Sequence, residues 1–266
     1  KYANLPAYSC LGKTLTYKDV EETSTSLGAY LTSHLGLEKG DRVAVMMPNI
    51  LQNTVALHSI IRAGLTVVNV NPLYTPRELE HQLRDAGVRT IFILENFAHV
   101  LESVLDKTPV KNIITTTLGQ MLGFPKSFVV DFVVKHIKKM IPAYSFAQSI
   151  RFSDAVKIGS SLEFKRHSVG LDDIAFLQYT GGTTGLSKGA VLTHKNISAN
   201  IEQATKWIEK SLEEGKETII TALPLYHIFS LTANFFTFMK YGGHNILIPN
   251  PRDIPGFIKT LSNSQF

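Results

Sequence analysis

A chain of 266 residues, 44% hydrophobic and 18% charged, has the composition of a globular enzyme and can bury one large core or two modest ones. Its formal charge of +5 suits anionic small molecules or an acidic membrane surface and lacks the dense basic stripe of a nucleic-acid binder. The single Cys10 excludes an internal disulfide and a multi-thiolate metal site, which points to a reducing, cytoplasmic setting.

The opening residues KYANLPAYSCLGK carry no continuous apolar core, so no signal peptide is read there; with no initiator Met, a fragment of a longer protein is expected. Residues 15–36 predict a helix, with Thr16 as N-cap, Asp19 three residues on and Gly36 past its end. DRVAVMM predicts a buried strand ended by the Pro48–Asn49 turn, residues 50–64 a helix closed by Gly64, and LTVVNV the next strand. Residues 75–87 predict a helix with Thr75 as cap, Pro76 in the first turn, Glu78 behind the cap and Gly87 at the end. VRTIFIL follows as a strand. This alternation predicts the α/β class, with mostly parallel sheets flanked by helices.

Residues 115–168 are less regular and are read as an insertion. Within them SFVVDFVVKHIKKMI (127–141) ends in Lys135, His136, Lys138 and Lys139. It reads as an ordinary surface helix whose lysines complement its C-terminal dipole, the alternative being a basic amphipathic helix on an anionic bilayer. Only three of its 15 residues are lysine, which favours the surface helix.

From residue 171 the pattern resumes with the strand IAFLQYT, a glycine-rich loop, the strand GAVLTH, a helix over 196–215, and the strands TIITALP and GGHNILIP. Between those last two, residues 222–239 are the most apolar stretch. Pro224, His227 and Asn234 interrupt it, so a buried helix is expected rather than a membrane span of roughly 20 apolar residues. The expected organisation is a first subdomain over 1–170 and the start of a second over 171–266.

The loop in LQYTGGTTGLSKGAVLTH (177–194) has the means to hold phosphate. Gly181, Gly182 and Gly185 let backbone N–H groups approach an anion; Thr180, Thr183, Thr184 and Ser187 add hydroxyls, and Lys188 adds a mobile charge. The pattern G-x-x-x-x-G-K-[ST] is not met, since Lys188 follows Ser187 and a strand rather than a helix comes next. A Walker-type NTPase or kinase is therefore disfavoured. By composition alone, a solvated hairpin turn remains open.

YTGGTTGLSKGAVLTH closely resembles the phosphate-loop signature of the adenylate-forming (AMP-binding) superfamily. ALPLYHIFSL (222–231) resembles its substrate-pocket motif, and VVNVNPLYTPRELEHQLRDAG resembles an early structural motif. With KGDRVAVMMPN and NPRDIPGFIK, the chain is similar almost end to end to the N-terminal part of bacterial long-chain fatty acid–CoA ligases. The resemblance implies two-step chemistry: a fatty carboxylate attacks the α-phosphorus of ATP, and CoA then takes the acyl group. It implies that Thr180, Gly181, Gly182, Thr183, Thr184, Gly185 and Lys188 bind the departing phosphates, with Mg²⁺ assigned to the hydroxyl of Thr184. It implies that His227 lines the channel where acyl group and adenylate meet, with Ile228, Phe229, Leu231 and Phe235 as the alkyl wall; core packing stays open for the same side chains. No bulky Trp stands near Leu231, so the tunnel gate of some relatives is in doubt.

The resemblance also implies later motifs that are not present: a Tyr-Gly-x-Thr-Glu segment, a ribose-binding Asp, and a mobile C-terminal domain with a catalytic Lys. No catalytic residue is therefore assigned, and the fragment alone is expected to lack ligase activity. Fatty acid, ATP and CoA are the expected partners, without nucleic acid; a homodimer and peripheral contact with the inner face of the cell membrane are left open. The rival readings are a fatty acyl-AMP ligase or another carboxylate-adenylating enzyme, and a non-catalytic relic of the fold.

Overall fold

The computed structural model describes residues 1–181 and 186–266. The first residues form a hairpin not anticipated from sequence: β1 (Pro6–Cys10) pairs antiparallel with β2 (Lys13–Thr16). α1 (Tyr17–Ala29) begins with the expected capping box. The Thr16 hydroxyl accepts from the Asp19 N–H, and the Asp19 carboxylate accepts from the Thr16 N–H. The chain then alternates through β3 (Arg42–Met46), α2 (Leu51–Arg62), β4 (Thr66–Asn69), α3 (Pro76–Asp85) and β5 (Thr90–Leu94). α3 has the Thr75–Glu78 box and Pro76 in its first turn, as expected. After α2 and α3, Gly64 and Gly87 take φ of +76° and +63°, a conformation that a side chain disfavours.

Three further strands, β6 (Asn112–Thr116), β7 (Ile150–Arg151) and β8 (Ile174–Thr180), join β3–β5 in parallel, and β9 (Lys188–Thr193) closes the sheet antiparallel to β8. The order is β7-β6-β5-β3-β4-β8-β9. Its central strands read as continuous apolar runs because both faces are covered. Val43, Val45, Val67, Phe92 and Phe176 share one core with Leu51, Val55, Leu57 and Ile60 of α2. Ala44, Met46, Val68, Ile91 and Ile93 share another with Leu79 and Leu83 of α3. Alternate residues of each strand thus serve opposite cores.

A second sheet, ordered β10-β11-β1-β2, uses β10 (Thr218–Thr221) and β11 (His244–Leu247). β1 runs parallel to β11, with Tyr8 opposite Asn245. The expected boundary at residue 170 does not coincide with the division between sheets. β8 and β9 complete the first sheet, while the N-terminal hairpin belongs to the second.

Three expected elements differ from those observed. Residues 222–239 are not one helix: helical structure starts at Ile228 and continues through wide turns over Leu231–Thr237 to Lys240. Pro224 has no N–H to donate, and Asn49 captures the backbone before it, donating from Nδ2 to the carbonyls of Thr221 and Leu223 (both 2.9 Å). The helix expected over 196–215 spans His194–Ile208, because Thr193 caps it early and the Gly215 N–H donates to the Tyr241 carbonyl, turning the chain toward β10. The insertion holds the surface helix expected within 127–141, observed from Lys126 to Phe132 and continued to Ile137, and a further helix over Phe152–Gly159 that was not expected. No helix among the described residues is long and apolar enough to cross a membrane.

Candidate functional site

β4 and β8 run side by side in the same direction, with Asn69 opposite Gln178, so their carboxyl ends emerge together at one edge of the sheet. Open α/β sheets present their ligand crevices at this edge. A cleft of about 920 Å³ lies here. Asn69 and Gln178 come to it from the strands, Thr75 and His81 from α3 and its cap, Thr180, Gly181 and Ser187 from the glycine segment, and Tyr226, His227 and Ile228 from the apolar segment.

A hydrogen-bonded series joins these elements. The Gln82 amide of α3 donates to the Asn69 carbonyl (2.8 Å), Asn69 Nδ2 donates to Gln178 Oε1 (3.1 Å), and Gln178 Nε2 donates to the Tyr226 carbonyl (2.6 Å). Asn69, Gln82 and Gln178 are buried, so each polar group left without a partner there would carry a desolvation penalty. The consequence is positional: the residue before His227 is tied to β8 of the main sheet and through it to β4. Asn49 works from the other side, accepting the Leu225 N–H on Oδ1 (2.8 Å). His81 Nε2 lies 2.9 Å from the Ser187 carbonyl, which can only accept, so that nitrogen carries the proton. It anchors the far end of the glycine segment to α3.

The charges around the cleft are largely committed. Glu78 is held below the usual carboxylate range by the N–H and then the hydroxyl of Thr75. Tyr179 is raised well above an ordinary phenol by burial and by the Asp85 carboxylate, to which its hydroxyl donates. Burial also raises Tyr226, with Arg252 opposing. Arg77 is the guanidinium among the lining residues. Among the described residues no group of three His, Cys, Asp or Glu side chains could cage a metal.

The residues singled out from sequence divide as follows. Thr180, Gly181, His227 and Ile228 meet at the cleft. Gly182, Thr183, Thr184 and Gly185 lie outside the described residues, and with them the assigned Mg²⁺ hydroxyl. Lys188 is exposed and pairs across the β8–β9 ladder with Thr180, one of the lining residues, though it is not itself part of the lining. Phe229 is 60% exposed and does not line the cleft. Leu231 and Phe235 are wholly buried in the core, with Phe235 against Tyr8 (5.8 Å between ring centroids) and His58 (4.7 Å). Asn69, Gln178 and His81 were not anticipated. The available signal was an amide in the middle of an otherwise apolar strand, in VVNV and FLQY.

Comparison with known proteins follows the same lines. The chain is 53% identical over all 266 residues to a long-chain-fatty-acid–CoA ligase of Salmonella typhimurium, and 37% identical over 254 residues to one of Bacillus subtilis. It spans 47% and 44% of their lengths, about half of the curated relatives it matches. Among solved structures, an anthranilate CoA ligase in complex with anthranoyl-AMP superposes with a TM-score of 0.80 at 20% identity, covering 98% of this chain and 45% of that one. A long-chain-fatty-acid–CoA ligase from Archaeoglobus fulgidus gives 0.72 at 24% identity, covering 94% and 45%. These structural likenesses speak for the fold. The AMP-binding enzyme family matches residues 1–265, and the chain belongs to that family.

Proposed function

We propose that the protein carrying this chain activates a long-chain fatty acid with ATP, forming an acyl-adenylate and then acyl-CoA. The observation that carries the reading is the meeting of the glycine segment with Tyr226-His227-Ile228 at one cleft, in a chain 53% identical to a long-chain-fatty-acid–CoA ligase. The solved anthranilate ligase holds anthranoyl-AMP, an acyl-adenylate of the kind proposed.

In the first step a carboxylate oxygen bonds to the α-phosphorus and the bond to the bridging oxygen of pyrophosphate breaks in line. Positioning and neutralisation of charge on the leaving group lower such a barrier. The glycine segment, with Thr180, Gly181 and Lys188, is assigned the departing phosphates. Mg²⁺ bound with the nucleotide would supply further neutralisation, with Thr184 as its protein hydroxyl. His227 and Ile228 are assigned the junction between acyl carboxylate and adenylate. Phe229, exposed beside them, is the remaining candidate for the start of the alkyl path, since Leu231 and Phe235 are packed in the core. In the second step the CoA thiolate attacks the acyl carbon and AMP leaves.

The test is ATP–pyrophosphate exchange by the full-length protein across a chain-length series of fatty acids. Exchange that rises with long-chain acids supports the reading. Exchange driven by amino acids or aryl acids instead would overturn the substrate assignment, and exchange without acyl-CoA formation would favour an acyl-AMP ligase.

A further inference from the structure

α3 carries two side chains, one turn apart, that grip the chain on either side of the glycine segment. Asp85 accepts from the hydroxyl of Tyr179, the residue before Thr180. His81 Nε2 donates to the carbonyl of Ser187, the residue before Lys188 (2.9 Å). Residues four apart lie on one face of a helix, so both flanks of the segment refer to the same face of α3. The flanks are also held to each other, with Thr180 opposite Lys188 and Tyr179 opposite Gly189 across the β8–β9 ladder. A Cβ on Gly189 would stand 2.9 Å from Cε2 and 3.0 Å from Cζ of Tyr179, so the tyrosine ring reaches across onto β9.

α3 is a firm reference because other contacts fix it. Leu79 and Leu83 are buried in the core under the sheet, and the Gln82 amide donates to the Asn69 carbonyl of β4 (2.8 Å). His81 is the α3 side chain that both lines the cleft and bonds the glycine segment, and Ser187 lines the same cleft. A carbonyl oxygen beside an anion site carries partial negative charge of the wrong sign. The imidazole N–H engages that oxygen, which offsets its charge and fixes the Ser187–Lys188 peptide plane. The half-buried ring therefore sets where the backbone at Lys188 begins.

We propose that His81 is a positioning residue for the adenylation step: by holding the Ser187 carbonyl to α3, it sets the far flank of the glycine segment against the departing pyrophosphate. It acts through the backbone and touches no reacting atom. The inference rests on the ligase reading and names a residue that the reading leaves without a role.

The test separates the two half-reactions in the full-length protein. His81→Ala should lower kcat/KM for ATP in ATP–pyrophosphate exchange by about five- to tenfold, the size of one lost hydrogen bond. Acyl-CoA formation from preformed acyl-adenylate and CoA, in which no pyrophosphate departs, should stay within about twofold of the wild type. His81→Gln, whose amide N–H can reach the same carbonyl, should recover most of the exchange. Arg84→Ala, which engages only Glu80 of the same helix (3.3 Å), should match the wild type in both assays. Undiminished exchange in His81→Ala beside an active wild type would overturn this inference alone. An equal loss in both half-reactions would overturn it too, by showing general damage to the fold, as would a His81→Gln variant no better than His81→Ala. A wild type without carboxylate-dependent exchange would remove the ligase reading and this inference with it.

Discussion

Asn49 makes three hydrogen bonds from one buried side chain, to the Thr221 and Leu223 carbonyls and from the Leu225 N–H. It sits just after β3 of the main sheet and holds the segment leaving β10 of the second. Truncation to alanine strands the Leu225 N–H, while the Thr221 and Leu223 carbonyls keep the Ile248 N–H and the Ser230 hydroxyl, so Asn49→Ala is expected to destabilise the chain by about 1–3 kcal/mol in urea unfolding. A loss under about 0.5 kcal/mol would mean that this joint is not a structural tie. His58 is a second such residue. Its Nε2 lies 3.1 Å from the Tyr8 hydroxyl, and burial, with Arg62 adding to it, pushes its pKa down to about 4. The unfolded chain therefore binds the proton more tightly, near the ordinary value of about 6.5. Its stabilising contribution is complete above that pH and drains as pH falls toward 4, by up to about 3 kcal/mol. His194 and His244, also held down by desolvation, act with the same sign. Melting temperature should thus fall between pH 6.5 and 4.5, and less steeply in His58→Gln than in the wild type. Equal slopes would contradict the assignment.

Elements whose boundaries depend on neighbouring side chains in sequence were readable in advance. The capping pairs Thr16–Asp19 and Thr75–Glu78 mark helix starts because the bonds are made within four residues. The strands of the central sheet were readable from apolar runs for a similar reason: burial on both faces leaves few polar positions, Asn69 and Gln178 among them, to confuse the pattern. Where tertiary contacts decide, local pattern failed, as with Asn49 breaking the apolar segment from 172 residues away in sequence. Helix Phe152–Gly159 is another case, since its end is defined by contact with α1. A Cβ on Gly159 would stand 1.8 Å from the Ser26 carbonyl oxygen and 2.9 Å from the Tyr30 nitrogen, both backbone atoms. Gly159→Ala must separate the two helices, and a loss of about 3 kcal/mol or more is expected in denaturant unfolding. The neighbouring exposed Lys157→Ala serves as control and should change little. A Gly159→Ala chain as stable as that control would show that the helices can part without cost.

At the scale of the molecule, motif resemblance located the glycine segment and His227 on one cleft, but pairing between distant strands was hidden. Nothing local in PAYSC announces that β1 will run beside β11, because parallel partners are chosen by the sheet as a whole. The same limit hid Gln178 and Asn69, whose purpose emerges only when β4 and β8 lie together beneath Tyr226. It also hid the packing of Phe235 against Tyr8 of the N-terminal hairpin, which no local pattern announces. On the proposed function, the cleft holds the phosphates of ATP beside a fatty carboxylate and directs attack to the α-phosphorus. Its most direct test is the fate of oxygen during acyl-CoA formation by the full-length protein from a long-chain acid labelled with ¹⁸O in its carboxylate. The account predicts that the AMP released carries one labelled oxygen and that pyrophosphate carries none. Label in inorganic phosphate, with ADP as co-product, would contradict it.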